Sequence, residues 1–142
     1  MRGLAFHGNS SAEVINFPDV GPGVEQVLIK LRSSGLCGSD FNRYRGKNPN
    51  EYNGQLIRPG HEPCGEIVAL GPDVKELKVG DRIIQHHYEG CRECKFCLTG
   101  WQQLCRVVDK KEYYGGSMHG GHGDYMVAPQ STCVPLPDEV VF

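Results

Sequence analysis

The stretch that decides the fold is residues 60–74, which read GHEPCGEIVALGPDV. Its centre, Gly65–Leu70, is a short apolar run, and the Gly71-Pro72-Asp73 sequence after it is a turn signal, so we predict a buried strand that ends at a tight turn. The His-Glu pair near its start is typical of the H-E-x-x-H helix of zinc proteases. That interpretation fails, because Gly65 stands where the second histidine is needed and Pro63 breaks a helix.

Short apolar runs on both sides of this stretch predict further strands. In Gln26–Leu31 the residues Val27, Ile29 and Leu31 alternate with others, which is the period of a half-buried strand. The remaining predicted strands are Ala12–Phe17, Arg82–Gln85, Tyr125–Ala128 and Cys133–Leu136.

The sequence predicts one clear helix, which is short. Ser39 or Asp40 can cap its start, it runs through Arg45, and Gly46 ends it. Many short strands with one or two short helices predict a mainly β fold, a small barrel or sandwich. The sequence contains no strand–GxGxxG–helix unit, so we expect no dinucleotide-binding fold in it.

The composition argues against several classes of function. The chain has 142 residues, 39% of them hydrophobic, which is typical of one folded domain rather than a disordered chain. Fifteen Lys and Arg against seventeen Asp and Glu give a net charge of −2, which argues against a nucleic-acid partner. No apolar run approaches the ~18 residues of a membrane span, so we expect no membrane partner either.

Four of the seven cysteines crowd into one stretch, at Cys91, Cys94, Cys97 and Cys105. Two-residue gaps let successive thiolates turn onto one ion, and the longer gap lets the chain close the site, so this spacing predicts a structural zinc site. The interleaved cations Arg92, Lys95 and Arg106 should offset its negative charge. An iron–sulfur cluster and unligated cysteines packed as small hydrophobes are the two alternatives. Such a cluster in a chain with an odd cysteine count predicts a cytoplasmic protein.

A second zinc site is suggested by Cys37 and His61. Cys37 stands just before the predicted helix, where the helix dipole favours a thiolate. Few protein ligands, far apart in sequence, suit a catalytic zinc with a position left for water or substrate. Taken alone, a cysteine such as Cys37 is more often a buried thiol than a ligand. A His-Glu pair such as His61-Glu62, taken alone, is more often an ordinary polar pair.

Together these motifs resemble the zinc-dependent medium-chain dehydrogenase/reductase family of alcohol, polyol and threonine dehydrogenases. The resemblance covers the chain from end to end. Its motifs are the start Met1–Phe6, Gly35–Asp40, the Gly60–Val74 signature, Val79–Ile83, the four-cysteine stretch and Pro135–Asp138.

The resemblance implies a GroES-like, partly open β-barrel catalytic domain over residues 1–142, with a structural zinc lobe at about residues 88–110. In such a domain Cys37 and His61 would hold the catalytic zinc, and Glu62 would be an occasional ligand. Ser39 would pass the proton of the substrate hydroxyl outward. The four clustered cysteines would hold the structural zinc.

Three features depart from the family. Asn42 stands where members often carry a relay histidine, and an amide cannot take up a proton. His122 stands at the aromatic position of the family's Gly-Gly-Phe-Ala-Glu-Tyr stretch; we favour a solvated loop histidine there over a pocket residue. The sequence stops before the family's third catalytic zinc ligand and its Rossmann domain, so we expect a fragment or an isolated domain.

The remaining histidines and cysteines receive ordinary interpretations. His86 and His87, at a strand end, and His119 are expected to be polar residues without a role, although the pair could line the metal cleft. Cys64 and Cys133 are expected to be buried small residues.

The resemblance implies oxidation of a small alcohol or polyol by hydride transfer to NAD or NADP, with the cofactor bound by a domain that this chain lacks. The chain alone should then be inactive, and the full-length form is expected to be a homo-oligomer. A non-catalytic zinc-binding or assembly module derived from the same fold is the alternative. A zinc-ribbon nucleic-acid binder conflicts with the net charge.

Overall fold

The structure is a computed structural model that describes residues 1–107 and 112–142. In this part of the chain, strands predominate over two short helices, α1 (Gly38–Arg45) and α2 (Lys95–Leu98). Single 3-10 turns lie at Gln102–Leu104 and Gln130–Thr132. The strands are β1 (Arg2–Gly8), β2 (Ser11–Asn16), β3 (Gln26–Ser34), β4 (Glu51–Tyr52), β5 (Gln55–Leu56), β6 (Pro63–Leu70), β7 (Arg82–Gln85), β8 (Tyr88–Glu89), β9 (Glu112–Tyr113), β10 (Tyr125–Pro129) and β11 (Cys133–Pro135).

The central sheet has five antiparallel strands in the order β10-β3-β6-β7-β11. The register between β3 and β6 shifts at Leu28/Ile29 and again at Leu31/Ser33. Such irregularities increase the twist of a strand pair, which curls this sheet into a half-barrel. The mainly β, partly open barrel predicted from the sequence is thereby confirmed.

The concave side of the sheet carries the core, because alternate residues of its strands face inward. The buried core side chains are Val27, Ile29, Ile67, Ile83, Tyr114, Met126 and Ala128. Gly65 is required where β6 pairs with β3, since a Cβ atom at this position would lie 2.3 Å from the carbonyl oxygen of Lys30.

A hairpin of β1 and β2 flanks the sheet. Asn9 and Ser10, both at positive φ, form the turn between these strands. The hairpin joins the rest of the fold through a bridge between Gly3 and Gly123. The predicted strand at residues 12–17 is thus β2, one residue earlier, and β1 was not predicted as a strand.

The helix α1 corrects the predicted cap. It begins at Gly38, with Cys37 as its N-cap residue, so neither Ser39 nor Asp40 holds the cap position. The Asp40 carboxylate still caps the helix from its first turn, because it accepts the backbone N–H of Cys37 at 3.0 Å. The helix ends as predicted at Arg45, followed by Gly46.

The four cysteines lie on a separate lobe that begins at β8. The pairing of β8 with β9 closes the base of this lobe, opposite α2. Residues 108–110 of the predicted lobe lie outside the described residues. Within residues 1–107 and 112–142, no helix is both long and apolar enough to span a bilayer.

A buried guanidinium lies under the β1–β2 hairpin. Arg58 is 2% exposed; its Nε donates to the carbonyl of Gly120 at 2.7 Å, and its Cζ lies 5.7 Å from the centre of the Phe17 ring. Burial lowers the pKa of Arg58 to about 10. His119 completes the cluster, since its Nδ1 accepts the backbone N–H of Arg58 at 3.1 Å and its ring packs edge-on against Phe17. His119 is therefore a structural hydrogen-bond acceptor.

This cluster predicts how stability depends on pH. Burial, and then the Arg58 cation, lower the pKa of His119 from its ordinary value of 6.5. The unfolded chain therefore binds the extra proton first, and the free energy of unfolding falls as the pH drops below about 6.5. Because Asn keeps an acceptor but does not titrate, His119→Asn should make the fall in Tm between about pH 7.5 and pH 5.5 shallower. The change corresponds to at most one proton fewer taken up on unfolding. An unchanged slope in thermal scans would contradict the assignment.

Candidate metal centres

The four-cysteine cluster forms the first candidate centre. All four Sγ atoms lie within 4.8 Å of one another, and none is in a disulfide. Cys97 Sγ lies 3.9 Å from Cys91 Sγ and 3.5 Å from Cys94 Sγ. Four thiolates at about 2.3 Å from a tetrahedral zinc are about 3.8 Å apart, so the cluster fits zinc.

Backbone N–H groups prepare these sulfurs as ligands. Cys91 donates its N–H to Cys105 Sγ at 3.4 Å, and Cys94 donates to Cys91 Sγ at 3.3 Å. Hydrogen bonds of this kind lower the pKa of Cys105 and bring that of Cys94 to about 6. Gly90 is needed beside the cluster, because a Cβ atom there would lie 2.4 Å from Cys97 Sγ.

The three interleaved cations are arranged differently from the prediction. Arg92 forms salt bridges with Glu25 and Glu89. Lys95 and Arg106 lie over the Phe96 ring, at 5.0 and 5.2 Å from its centre. Arg92 is therefore committed to carboxylates, so its charge does not offset that of the thiolates as expected.

The second candidate centre brings together residues from α1 and from the segment that enters β6. One ligand atom each from Cys37, His61 and Glu62 lies within 4.8 Å of the others. Cys37 is half-buried and Glu62 is exposed. The backbone of Gly35 leaves room for Glu62, since a Cβ atom there would lie 2.4 Å from Glu62 Oε2.

A buried carboxylate, that of Asp40, lies beside the imidazole of this centre. The Asp40 side chain is 2% exposed, and its Oδ1 lies 3.8 Å from His61 Nδ1, whereas His61 Nε2 faces Ser39 Oγ at 3.5 Å. A carboxylate on one ring nitrogen leaves the other free for a metal and holds the ring in place. A thiolate, an oriented imidazole and a carboxylate form a donor set that fits zinc.

Aromatic and imidazole rings form a wall beside His61. The ring centre of His87 lies 5.4 Å from that of His61 and 4.3 Å from that of Tyr88, and Tyr113 stacks on Tyr88 at 5.2 Å. Burial, followed by the neighbouring His61 and His86, lowers the pKa of His87. His87 therefore lies beside the second centre, next to His61. His86 lies behind it, with Nδ1 3.0 Å from the carbonyl oxygen of Tyr88.

The structure also decides the other singled-out residues. Asn42 is exposed. Cys64 and Cys133 are half-buried rather than fully buried, and burial raises the pKa of Cys133 to about 12.

The prediction for His122 was wrong. Its side chain is 8% exposed, with Nδ1 2.9 Å from Ser34 Oγ and Nε2 3.6 Å from Asp40 Oδ2. Burial lowers the pKa of His122 from its ordinary value. The ring is buried because its backbone is bound to Pro59, a contact between distant segments that no local pattern indicates.

Comparison with known proteins agrees with this geometry. Residues 23–138 match the family described as the alcohol dehydrogenase GroES-like domain. The chain is 37% identical over 141 residues to the uncharacterized zinc-type alcohol dehydrogenase-like protein YphC of Escherichia coli, covering 95% of this chain and 40% of the relative. It is 36% identical over 132 residues to a sorbitol dehydrogenase of Halalkalibacterium halodurans, covering 92% and 37%.

A solved structure shares the fold. The cobalt- and zinc-bound thermostable alcohol dehydrogenase of Pyrobaculum aerophilum superposes with a TM-score of 0.82 at 29% identity, covering 95% of this chain and 40% of that one. This chain thus spans about 40% of the length of such relatives. Because the family match extends over most of the chain and includes both candidate centres, the chain belongs to the alcohol dehydrogenase GroES-like domain family.

Proposed function

We propose that this chain is the zinc-binding catalytic domain of a dehydrogenase that oxidises a small alcohol or polyol with NAD or NADP. The observation that carries the proposal is the convergence of Cys37, His61 and Glu62 beside a buried carboxylate, apart from the four-cysteine cluster. One centre with four thiolates and one with fewer protein ligands is the division expected of a structural and a catalytic zinc.

The residues of the second centre have separate roles in this proposal. Cys37 and His61 hold the ion, Glu62 is an exchangeable ligand, and Asp40 keeps the His61 imidazole oriented. A zinc ion held there would supply a Lewis acid that lowers the pKa of an alcohol hydroxyl. Ser39 Oγ, 3.5 Å from His61 Nε2, is placed to accept that proton and pass it outward.

The ring wall supports a small hydroxylated substrate. His87, Tyr88 and Tyr113 combine apolar ring faces with polar atoms, which suits a compact molecule that carries several hydroxyl groups. The sorbitol dehydrogenase among the relatives is consistent with a polyol.

The nicotinamide would be held elsewhere. Every strand pair that the structure describes between named strands is antiparallel. A dinucleotide cradle needs a parallel strand, a glycine turn and a helix whose N-terminus meets the pyrophosphate. We therefore propose that this domain supplies the metal and the proton path, and that a partner domain supplies the hydride acceptor.

Metal removal tests the two-centre assignment. We expect the zinc-loaded chain to hold two zinc ions, and a mild chelator to remove the ion at Cys37 first, with the fold retained, because that centre has fewer protein ligands. Cys37→Ala should hold one zinc and lose the fast phase only. Equal loss rates from both centres, or two zinc ions in Cys37→Ala, would overturn the proposal.

A turnover assay completes the test. With simple alcohols or polyols and NAD or NADP, the chain alone is expected to show no steady turnover, because aligned positioning of the hydride acceptor supplies roughly 7–11 kcal/mol of the barrier. Micromolar NADH binding, seen by fluorescence, would contradict the need for a separate cofactor domain.

A further inference from the structure

A short polar chain runs from His61 and Asp40 of the second centre to two residues that the proposed chemistry does not use, His122 and Ser34. It begins at His61 Nδ1, passes to the Asp40 carboxylate at 3.8 Å, continues to His122 Nε2 at 3.6 Å, and ends where His122 Nδ1 meets Ser34 Oγ at 2.9 Å. Two imidazoles therefore face one carboxylate from different segments of the chain.

The surroundings fix the place of His122. Its backbone N–H donates to the carbonyl of Pro59 at 3.0 Å, and its carbonyl accepts the N–H of Leu4 at 2.8 Å. The ring packs against the backbone of Gly60, where a Cβ atom would lie only 2.6 Å from His122 Nδ1. The imidazole is thus held next to the residue that precedes His61.

The Asp40 carboxylate, which can only accept, favours the tautomer of His122 that carries its proton on Nε2, and the Ser34 hydroxyl is then the donor to Nδ1. When the Ser34 hydroxyl donates to Nδ1, the neutral ring carries its proton on Nε2, which faces Asp40 Oδ2. That Nε2 atom is buried and has no hydrogen-bond partner at ordinary distance. A buried N–H without an acceptor destabilises the fold, so an apolar ring would be favoured here unless the proton were used.

The Asp40 carboxylate is the acceptor that this proton can use. Oδ2 already accepts the N–H of Cys37, and Oδ1 faces His61, so a donor at His122 would fix the carboxylate from its third side. Groups that hydrogen-bond to a ligand's own partner orient the ligand and raise metal affinity.

We propose that Ser34 and His122 are positioning residues of the second centre: Ser34 holds the His122 ring through Nδ1, and His122 holds Asp40 against His61. The inference rests on the proposed function, because it assumes that His61 is a metal ligand. It assigns a role to the residue where this chain departs from its family's aromatic side chain.

Two isosteric substitutions separate a hydrogen-bonding role from packing. His122→Gln keeps an N–H near the position of Nε2, whereas His122→Asn keeps a polar atom only near Nδ1. His122→Phe keeps the ring volume without either donor or acceptor. Ser34→Ala removes the hydroxyl, and Ser33→Ala, at an exposed neighbouring position of β3, is its matched control.

The measurement is cobalt affinity at the second centre. The four-cysteine cluster is filled with zinc, the second centre is stripped with a mild chelator, and Co²⁺ is titrated while thiolate-to-cobalt absorption is followed. We expect His122→Asn and His122→Phe to weaken Co²⁺ binding by about 10–100-fold, the usual effect of removing such a partner. Ser34→Ala should weaken it in the same direction, whereas His122→Gln and Ser33→Ala should stay close to the unmodified chain.

The outcomes distinguish this inference from the proposed function. Equal Co²⁺ affinity in His122→Asn and the unmodified chain would overturn the inference alone, as would an equal loss in all three His122 variants, which indicates packing. An unmodified chain that binds no Co²⁺ beyond the four-cysteine cluster would overturn the proposed function, and the inference with it. The zinc content of the cluster reports in each variant whether the fold is intact.

Discussion

Cys97→Ser is expected to remove one zinc ion per chain and to lower the Tm by about 10 °C or more. Cys97 Sγ lies within 3.9 Å of two other cysteine sulfurs, so replacing its thiolate with a hydroxyl removes a ligand from the middle of the set. Structural zinc contributes about 10–16 kcal/mol in small peptides, comparable to the ~5–15 kcal/mol stability of a whole domain. The lobe between β8 and β9 should therefore lose its local structure.

Metal content and thermal unfolding, measured on the same samples, check this result. Cys64→Ser is the matched control, because Cys64 is half-buried in β6 and belongs to neither cluster. The Cys64→Ser variant should keep both zinc ions. Unchanged zinc content in Cys97→Ser would refute the structural zinc assignment, and iron with visible absorption would establish the iron–sulfur alternative.

Gly60→Ala is expected to destabilise the chain by about 2–6 kcal/mol and to weaken metal binding at the second centre. Gly60 has a φ of +95°, where a side chain costs about 1–3 kcal/mol, and its Cβ atom would meet the His122 ring at 2.6 Å. Overpacking of this kind costs about 1–3 kcal/mol more. Since Gly60 precedes His61, the strain is relieved by moving the ligand.

The Gly54→Ala variant separates the backbone cost of a positive φ from the contact with the His122 ring. Gly54 also has a positive φ, +75°, but nothing lies within 4 Å of its Cβ position, so only the backbone cost of about 1–3 kcal/mol applies. Chemical denaturation and cobalt titration of both variants give the comparison. Equal effects in the two would show that the contact between Gly60 and His122 does not position the centre.

The sequence predicted those elements whose signal is local. β3, β6, β7 and β10 follow apolar runs bounded by turn residues, and the structure has them within a few residues of the predicted bounds. β1 was missed because two of its buried positions are glycines, Gly3 and Gly8, which leave no regular apolar period. β4, β5, β8 and β9 have two residues each, too few for any period.

For the candidate centres too, the sequence predicted only what a local signal indicates. The spacing of the four cysteines indicates their cluster, because the ligands are close in sequence. Asp40 was identified only as a possible helix cap, although an acid three residues after Cys37 was a usable signal for a partner of His61. The burial of His122 depends on Pro59, more than sixty residues away, so only the folded chain places it.

The strand order of the central sheet has a consequence for biosynthesis. β3 pairs with β10, and β7 pairs with β11, so the sheet acquires both of its edges only after β10 and β11 have been translated, about 50 residues after β7 is made in the case of β11. Until then the apolar faces of β3 and β6 stay exposed to chaperones and to neighbouring nascent chains. The cysteine ligands lie close together in sequence and need little loop closure, so metal capture at that lobe can precede assembly of the sheet.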